Sequence, residues 1–281
     1  MRDFLELAVS ATASGCVYAL IALAYLLMIR PTGIINFAVG EWAMVGAFAG
    51  YLTLSKLNWP YPAGMAAMLG FMLLLGWATE RVAVRPLVHT GAPPLAPILA
   101  LLGMLVVVRE SVSIGFGPDP HQVPEPFGFA WQKEYMVGVT LAVFAGAWLF
   151  FERTLAGRSF EAVALDRKAA ALMGINLPRV TAASFAGGAA VAGLAGILVS
   201  PNVSAHYLMG VPLAIQGFTA LVIGGVGRVE GALLGGLLLA FAEQLTVRYA
   251  PIPAGYAQGV PLLLLMLFLV VRPTGLLRAR A

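Results

Sequence analysis

An all-α, polytopic transmembrane helical bundle is the fold class this sequence predicts, and three observations predict it. Hydrophobic residues make up 60% of the 281 and charged residues only 11%, with a positive mean hydropathy, a balance foreign to soluble domains. Apolar runs of membrane length or close to it recur along the whole chain. Counted on alternate sides of those runs, Lys and Arg fall mainly on one side, the bias that sets the orientation of membrane proteins.

The runs lie at about 5–29, 37–55, 61–84, 95–116, 135–151, 180–200 and 257–271. The first carries Asp3 and Glu6 where a secretory signal would be basic, and it continues past signal length, so it reads as a retained helix. Cys16 lies within it and is read as a small hydrophobe; a lone cysteine excludes an internal disulfide. An eighth stretch, 212–249, is apolar but interrupted by Gly-Gly-Val-Gly-Arg-Val-Glu-Gly around Arg228 and Glu230. It is either two short spans or a broken, partly re-entrant pair. The expectation is a single domain, 1–281, of about eight or nine spans.

With the N-terminus outside, twelve basic residues fall inside, among them Arg30, Arg81, Arg85, Arg153, Arg158, Arg167, Lys168 and Arg179. Four fall outside: Arg2, Lys56, Lys133 and Arg248. This bias predicts a cytoplasmic 152–179 segment and a cytoplasmic C-terminus. The net charge of +4 is thereby accounted for by topology, without nucleic acid as a partner.

Residues 155–178 are the longest charge-rich run. Ser159 reads as an N-cap, Glu161 suits the positive end of the helix dipole, and Gly174 with Ile175 reads as a left-handed stop. Pro178 reads as preventing a restart. A helix from Phe160 to Met173, about 20 Å long, is too short and too charged to cross a bilayer. Phe160, Val163, Ala164, Ala171 and Leu172 recur at spacings of three and four and predict one apolar face in need of cover. That cover could be lipid headgroups or a protein partner.

The motif Arg-Pro-Thr-Gly occurs twice, at 30–33 and 272–275. An Arg at a span end followed by Pro and Gly reads as a boundary device used twice rather than as a structural repeat. The loop 117–134 has four prolines, which predicts an irregular outer loop in which His121 is solvated. Glycine and alanine crowd 187–196 and 231–236 at spacings that let helix backbones approach closely.

Catalytic chemistry has little to build on: there is no P-loop, no metalloprotease or serine-hydrolase motif, and only three histidines, His89, His121 and His206. Ser111 beside Glu110 has no histidine close in sequence. No metal or cofactor is expected. The intramembrane polar residues Asn36, Glu41, Arg109, Glu110, Gln216 and Glu243 are the candidates for a translocation pathway, weighed against interhelical pairing. Asn36 and Glu41, five residues apart, would point about 140° apart on one helix. Asn36 is then the pathway-side amide, and Glu41 a buried residue paired with an arginine of a neighbouring span.

The pattern Gly157-Arg158-x-x-x-Ala162-x-x-x-Asp166-x-x-Ala169-Ala170-x-x-Met173-Gly174-Ile175 resembles the cytoplasmic coupling segment of ABC importer permeases of the branched-chain amino acid family. Ile35 to Glu41, Phe185 to Gly196 and Ile223 to Gly236 are similar to further motifs of that family, in the same order. The resemblance implies that Arg158, Glu161, Ala162, Asp166, Ala169, Ala170, Met173 and Gly174 dock an ATPase. It also implies a second permease subunit, two ATP-binding subunits, an extracytoplasmic solute-binding protein and a place in a bacterial inner membrane. The implied function is import of branched-chain amino acids or related small polar solutes. An ATP-independent channel or facilitator is the rival, and a docking segment is what a channel would not need.

Overall fold

The first apolar run becomes the axis of the molecule. In the computed structural model, which describes residues 2–90, 92–93, 95–125, 131–249, 259–272 and 275–277, α1 (Arg2–Thr32) packs most extensively on α11 (Val229–Tyr249) and α9 (Leu177–Val203). Ala19 to Ala24 of α1 are fully buried. Cys16 is buried beside them.

Around this axis stand α2 (Val39–Gly50), which runs on as a π-helical turn at Tyr51–Lys56, and α10 (Gly210–Gly224). An outer layer comprises α3 (Tyr61–Thr79), α5 (Leu95–Phe116), α6 (Gln132–Arg153) and α12 (Val260–Val271). A π-helical turn, Glu80–Val84, leads from α3 into the short α4 (Arg85–His89). The layers differ sharply in cover: the apolar window is 78% buried in α1 but 17% in α5 and 22% in α6. Leu74, Val107 and Ile114 project from the outer layer at 65%, 64% and 86% exposure, as expected of side chains that meet lipid.

Six helices among the described residues are long and apolar enough to cross a membrane: Glu6–Thr32, Tyr61–Val88, Leu95–Phe116, Gln132–Arg153, Leu177–Val203 and Val229–Tyr249. These six meet the expectation of about eight or nine spans in part. The α10 helix has 15 residues and α12 has 12, about 22 and 18 Å at 1.5 Å per residue, short of a hydrocarbon core of roughly 30 Å. The second run likewise resolves into a 12-residue helix and a π-helical turn. Residues 257–258 of the last run lie outside the described residues.

Association of helices in lipid relies on close packing, because the tails are as apolar as leucine. Here the small-residue stripes provide it. A Cβ on Gly196 would overlap the Ala43 carbonyl, one on Gly46 the Gly193 backbone, and one on Gly235 the Ala220 carbonyl. Backbones of α2 and α9, and of α10 and α11, therefore touch.

Both Arg-Pro-Thr-Gly boundaries end in a left-handed glycine, Gly33 at φ +68° and Gly275 at φ +70°. At the first, Gly33 donates its N–H to Ile29 O at 2.7 Å. After the second, Leu276 and Leu277 donate to the carbonyls of Ile223 and Gly224, at 2.9 and 3.1 Å. They satisfy acceptors that the end of α10 would otherwise leave open.

The expected solvated His121 is instead half-buried. Its ring lies 4.5 Å from Tyr51 and 5.7 Å from Phe48, centroid to centroid, and its backbone forms an antiparallel bridge with Ala205. Gln122 adds a hydrogen bond to Ser204 Oγ at 2.7 Å. The proline-rich loop is thus fastened across the chain rather than free. Residues 126–130 of it lie outside the described residues.

Candidate docking surface and intramembrane polar sites

The charge-rich segment folds as two helices, α7 (Leu155–Leu165) and α8 (Arg167–Leu172), not as one. Thr154, not Ser159, caps the first: its Oγ1 accepts the Gly157 N–H at 2.9 Å. Ser159 lies within α7 and donates to Leu155 O. Asp166 is extended, at φ −152° and ψ 109°, and its Oδ1 accepts N–H groups from Lys168 and Ala169 at 2.8 and 3.1 Å. An Asp side chain that competes for backbone donors in this way ends one helix and starts the next.

Gly174 stops α8 at φ +84°. Gly174 donates to Ala171 O at 3.0 Å and Ile175 to Ala170 O at 3.1 Å, the paired bonds of a Schellman ending. Pro178 does not prevent a restart. Asn176 caps α9 through its side-chain oxygen, which accepts the Arg179 N–H at 3.1 Å, and Pro178 occupies the first turn, where its missing donor costs nothing.

The break at Asp166 also divides the expected apolar face. Phe160, Val163 and Ala170 are buried, Phe160 against the rings of Phe150 and Phe151. Ala164, Ala171 and Leu172 are exposed. Leu155, Leu165, Leu172 and Met173 stand 79–90% exposed; Arg158, Glu161, Asp166, Ala169 and Gly174 are exposed as well, and Ala162 is half-buried. Four large apolar side chains on a charged segment outside any span form a surface suited to protein.

Two contacts that sequence reading did not anticipate tie this surface to α1. Arg167 donates to Thr32 O at 3.2 Å, satisfying a carbonyl at the last turn of α1. Arg30 lies over the Phe151 ring at 5.3 Å, with a guanidinium nitrogen 3.9 Å from Glu161. Arg30 and Glu161 line a cleft of about 590 Å³ whose far wall is Arg228 and Glu230, themselves 3.4 Å apart. The interrupted glycine stretch between α10 and α11 therefore faces the charged segment.

The intramembrane candidates divide into two sites and two outliers. Glu41, 1% exposed, pairs with Arg109, which donates through Nη2 at 2.6 Å and Nε at 3.2 Å, both to Oε1. Its Oε2 abuts the backbone of Gly210, where a Cβ would lie 2.5 Å away. The carboxylate thus rests at the start of α10, whose dipole favours negative charge. In the second site Glu243 accepts from Tyr18 OH at 2.7 Å and from Gln216 Nε2 at 3.4 Å, joining α11, α1 and α10. Tyr18 carried no sequence signal, because a tyrosine within an apolar run reads as part of the span.

Asn36 lies outside α2, so the helical angle to Glu41 does not apply. It is fully buried in the preceding turn, its Oδ1 accepting the Ala38 N–H at 3.0 Å and its Nδ2 facing Met28 Sδ at 3.5 Å. Glu110 is exposed on α5, turned away from the partner of its neighbour Arg109.

With this geometry in place, comparison with known proteins decides the family. The family described as "Branched-chain amino acid transport system / permease component" matches residues 7–269. The chain belongs to this branched-chain amino acid permease family. It is 32% identical over 299 aligned residues to the high-affinity branched-chain amino acid transport system permease protein LivH of Escherichia coli K12, covering 98% of this chain and 95% of that one. To BraD of Pseudomonas aeruginosa, described in the same words, it is 33% identical with the same coverage. The ribose import permease protein RbsC of Haemophilus influenzae is 27% identical over 80% of this chain and 72% of its own length. Among solved structures, PsaBC of Streptococcus pneumoniae in complex with Fab shares the fold, with a TM-score of 0.55 at 10% identity, over 94% of this chain and 91% of that one. As a member of the permease family the chain is a transport subunit rather than an enzyme, and ATPase and solute-binding subunits are its implied partners.

Proposed function

We propose that this permease is one membrane-embedded subunit of a bacterial inner-membrane importer for branched-chain amino acids. In this reading it pairs with a second permease subunit, receives solute from an extracytoplasmic binding protein, and is driven by two ATP-binding subunits on the cytoplasmic side. The observation that carries the proposal is the exposed α7–α8 surface, because four uncovered apolar side chains on a capped, charged segment call for a protein partner. Arg158, Glu161, Ala162, Asp166, Ala169, Ala170, Met173 and Gly174 form or frame it. Arg167 and Arg30 connect it to α1, and α1 carries Tyr18 of the Glu243 site, which gives the ATPase a mechanical route to the polar groups of the bundle. Arg109 with Glu41, and Gln216 with Glu243, are the proposed pathway groups. Asn36 has its amide oxygen engaged in its own turn, and Glu110 serves an outward face.

Gly174→Pro tests the coupling role. Proline cannot take φ +84° and lacks the N–H that Gly174 gives to Ala171 O. Uptake in cells is expected to fall more than about tenfold, with normal amounts of permease in the membrane and ATP hydrolysis no longer stimulated by loaded binding protein. Normal uptake with normal stimulation would overturn the docking assignment.

The proposed orientation places the N-terminus and loop 117–134 outside and α7–α8 inside. In a Cys16→Ala background, a membrane-impermeant thiol reagent added to intact cells should modify Asp119→Cys and spare Leu172→Cys. Both positions are exposed, so the opposite labelling pattern would reverse the orientation.

A further inference from the structure

A second cleft, of about 160 Å³, lies at the same end of the molecule as α7–α8, between the end of α1, the start of α9 and the helical turns that extend α3 into α4. Val84, Val88, Leu177 and Pro178 help give it an almost wholly apolar interior, and Arg85 and Arg167 are among the residues that line it. We propose that it binds an anionic phospholipid, with the phosphate between Arg85 and Arg167 and the start of an acyl chain along Val84 and Val88.

Depth places the cleft where a headgroup would be. Within one turn on either side of it the elements pass from apolar sequence to Arg30, Arg81, Arg85, Arg167, Lys168 and Arg179, the band of cations that marks a membrane boundary. Trp77 stands 48% exposed with the Arg81 guanidinium 6.0 Å from its ring, an interfacial pair of the kind that anchors a helix at headgroup level.

Charge selects the ligand. Arg85 is half-buried and has no ion-pair partner among the described residues. Arg167 spends one N–H on Thr32 O, and a guanidinium carries five. Glu80 is also part of the wall but is 2% exposed and not without a partner of its own, so it is enclosed rather than presented to a headgroup. Two arginines over an apolar floor suit a phosphodiester with a hydrocarbon tail better than a free anion, which would gain nothing from Val84 and Val88. The tail has a way out: Val88 and Val82 are 44% and 75% exposed along the outer surface of the same turns. Such a lipid would bridge α4 to α8, holding the docking segment against the bundle.

Native mass spectrometry of the purified full chain, titrated with phosphatidylglycerol, phosphatidylethanolamine or phosphatidylcholine, tests this independently of any transported solute. One phosphatidylglycerol is expected to be retained in preference to the other two. Arg85→Gln should weaken it about fivefold, the effect of one surface guanidinium on an anionic lipid. Val88→Trp, at the mouth, should abolish retention, whereas Arg81→Gln, on the same turns but outside the cleft, should leave it unchanged. Equal losses from Arg81→Gln and Arg85→Gln, or equal retention of all three lipids, would overturn the site and leave ordinary boundary lipid. Should Val88→Trp fail to elute as a folded species, the Arg85 and Arg81 pair decides.

Discussion

Replacing Arg109 with Ala is expected to destabilise the permease by about 3–5 kcal/mol, the cost of leaving a buried charge without its partner. Glu41 is 1% exposed and both of its hydrogen bonds come from Arg109. No hydrogen bond among the described residues reaches Oε2, and Gly210 closes the space beside it. The carboxylate therefore has no second donor among the described residues to fall back on. Glu41→Gln introduced alongside Arg109→Ala should recover most of the loss, since a neutral amide does not need the guanidinium. Thermal unfolding in detergent and folded yield by size exclusion would measure both. Equal instability of the single and double variants would show that packing, not charge, holds α5 to α2. The double variant also separates two roles. If it folds and transports, the pair is a clamp; if it folds and does not transport, the pair acts on solute as proposed.

Gly196→Leu is expected to abolish folded permease, the other large effect. Its Cβ alone would overlap the Ala43 carbonyl and crowd the Ala43 Cα, so α2 and α9 must part along the length where Gly46 meets Gly193. Ordinary overpacking costs about 1–3 kcal/mol because flexible side chains can yield; two backbones in contact have nothing that yields. Gly187→Leu supplies the control, because it lies in the same glycine-rich run of α9 with no neighbour within 4 Å of its Cβ position. The folded fraction should be near zero for the first and near normal for the second. Similar yields for both would mean that the stripe does not set the interhelical distance.

The contrast between these two glycines shows what the sequence could carry. Spacing alone announces that a stripe of small residues packs against something, but it does not say which glycine touches and which looks outward. Local chemistry was legible in the same partial way at α7–α8. The charge, the shortness and the Gly174 stop all follow from residues within one turn of each other. The break at Asp166 does not, because Thr154, Ser159 and Asp166 are each able to cap by local chemistry, and only Thr154 and Asp166 do so in the fold. Glu41 could be read as needing an arginine, yet Arg109 is 68 residues away and only the fold brings it near. Tyr18 and Glu243, 225 residues apart, are the same lesson at greater range. The span count was legible only coarsely: six helices among the described residues are long and apolar enough to cross, while α10 and α12 are apolar but shorter.

The central place of α1 has a consequence for biogenesis. It leaves the ribosome well before its main neighbours, α9 and α11, which are encoded far downstream of it. At 5–20 residues per second it waits on the order of 10–40 s for α11 to be made. Throughout that wait it must be stable in lipid without α11, showing outward the surface that will later be covered. Its sequence suits both situations: the Ala-rich stretch from Ala19 to Ala24 is apolar enough to lodge in hydrocarbon unaided, yet small enough that Gly236 can later close directly onto the backbone at Ala19. The axis of the finished permease is thus also a passenger in the bilayer until those partners arrive.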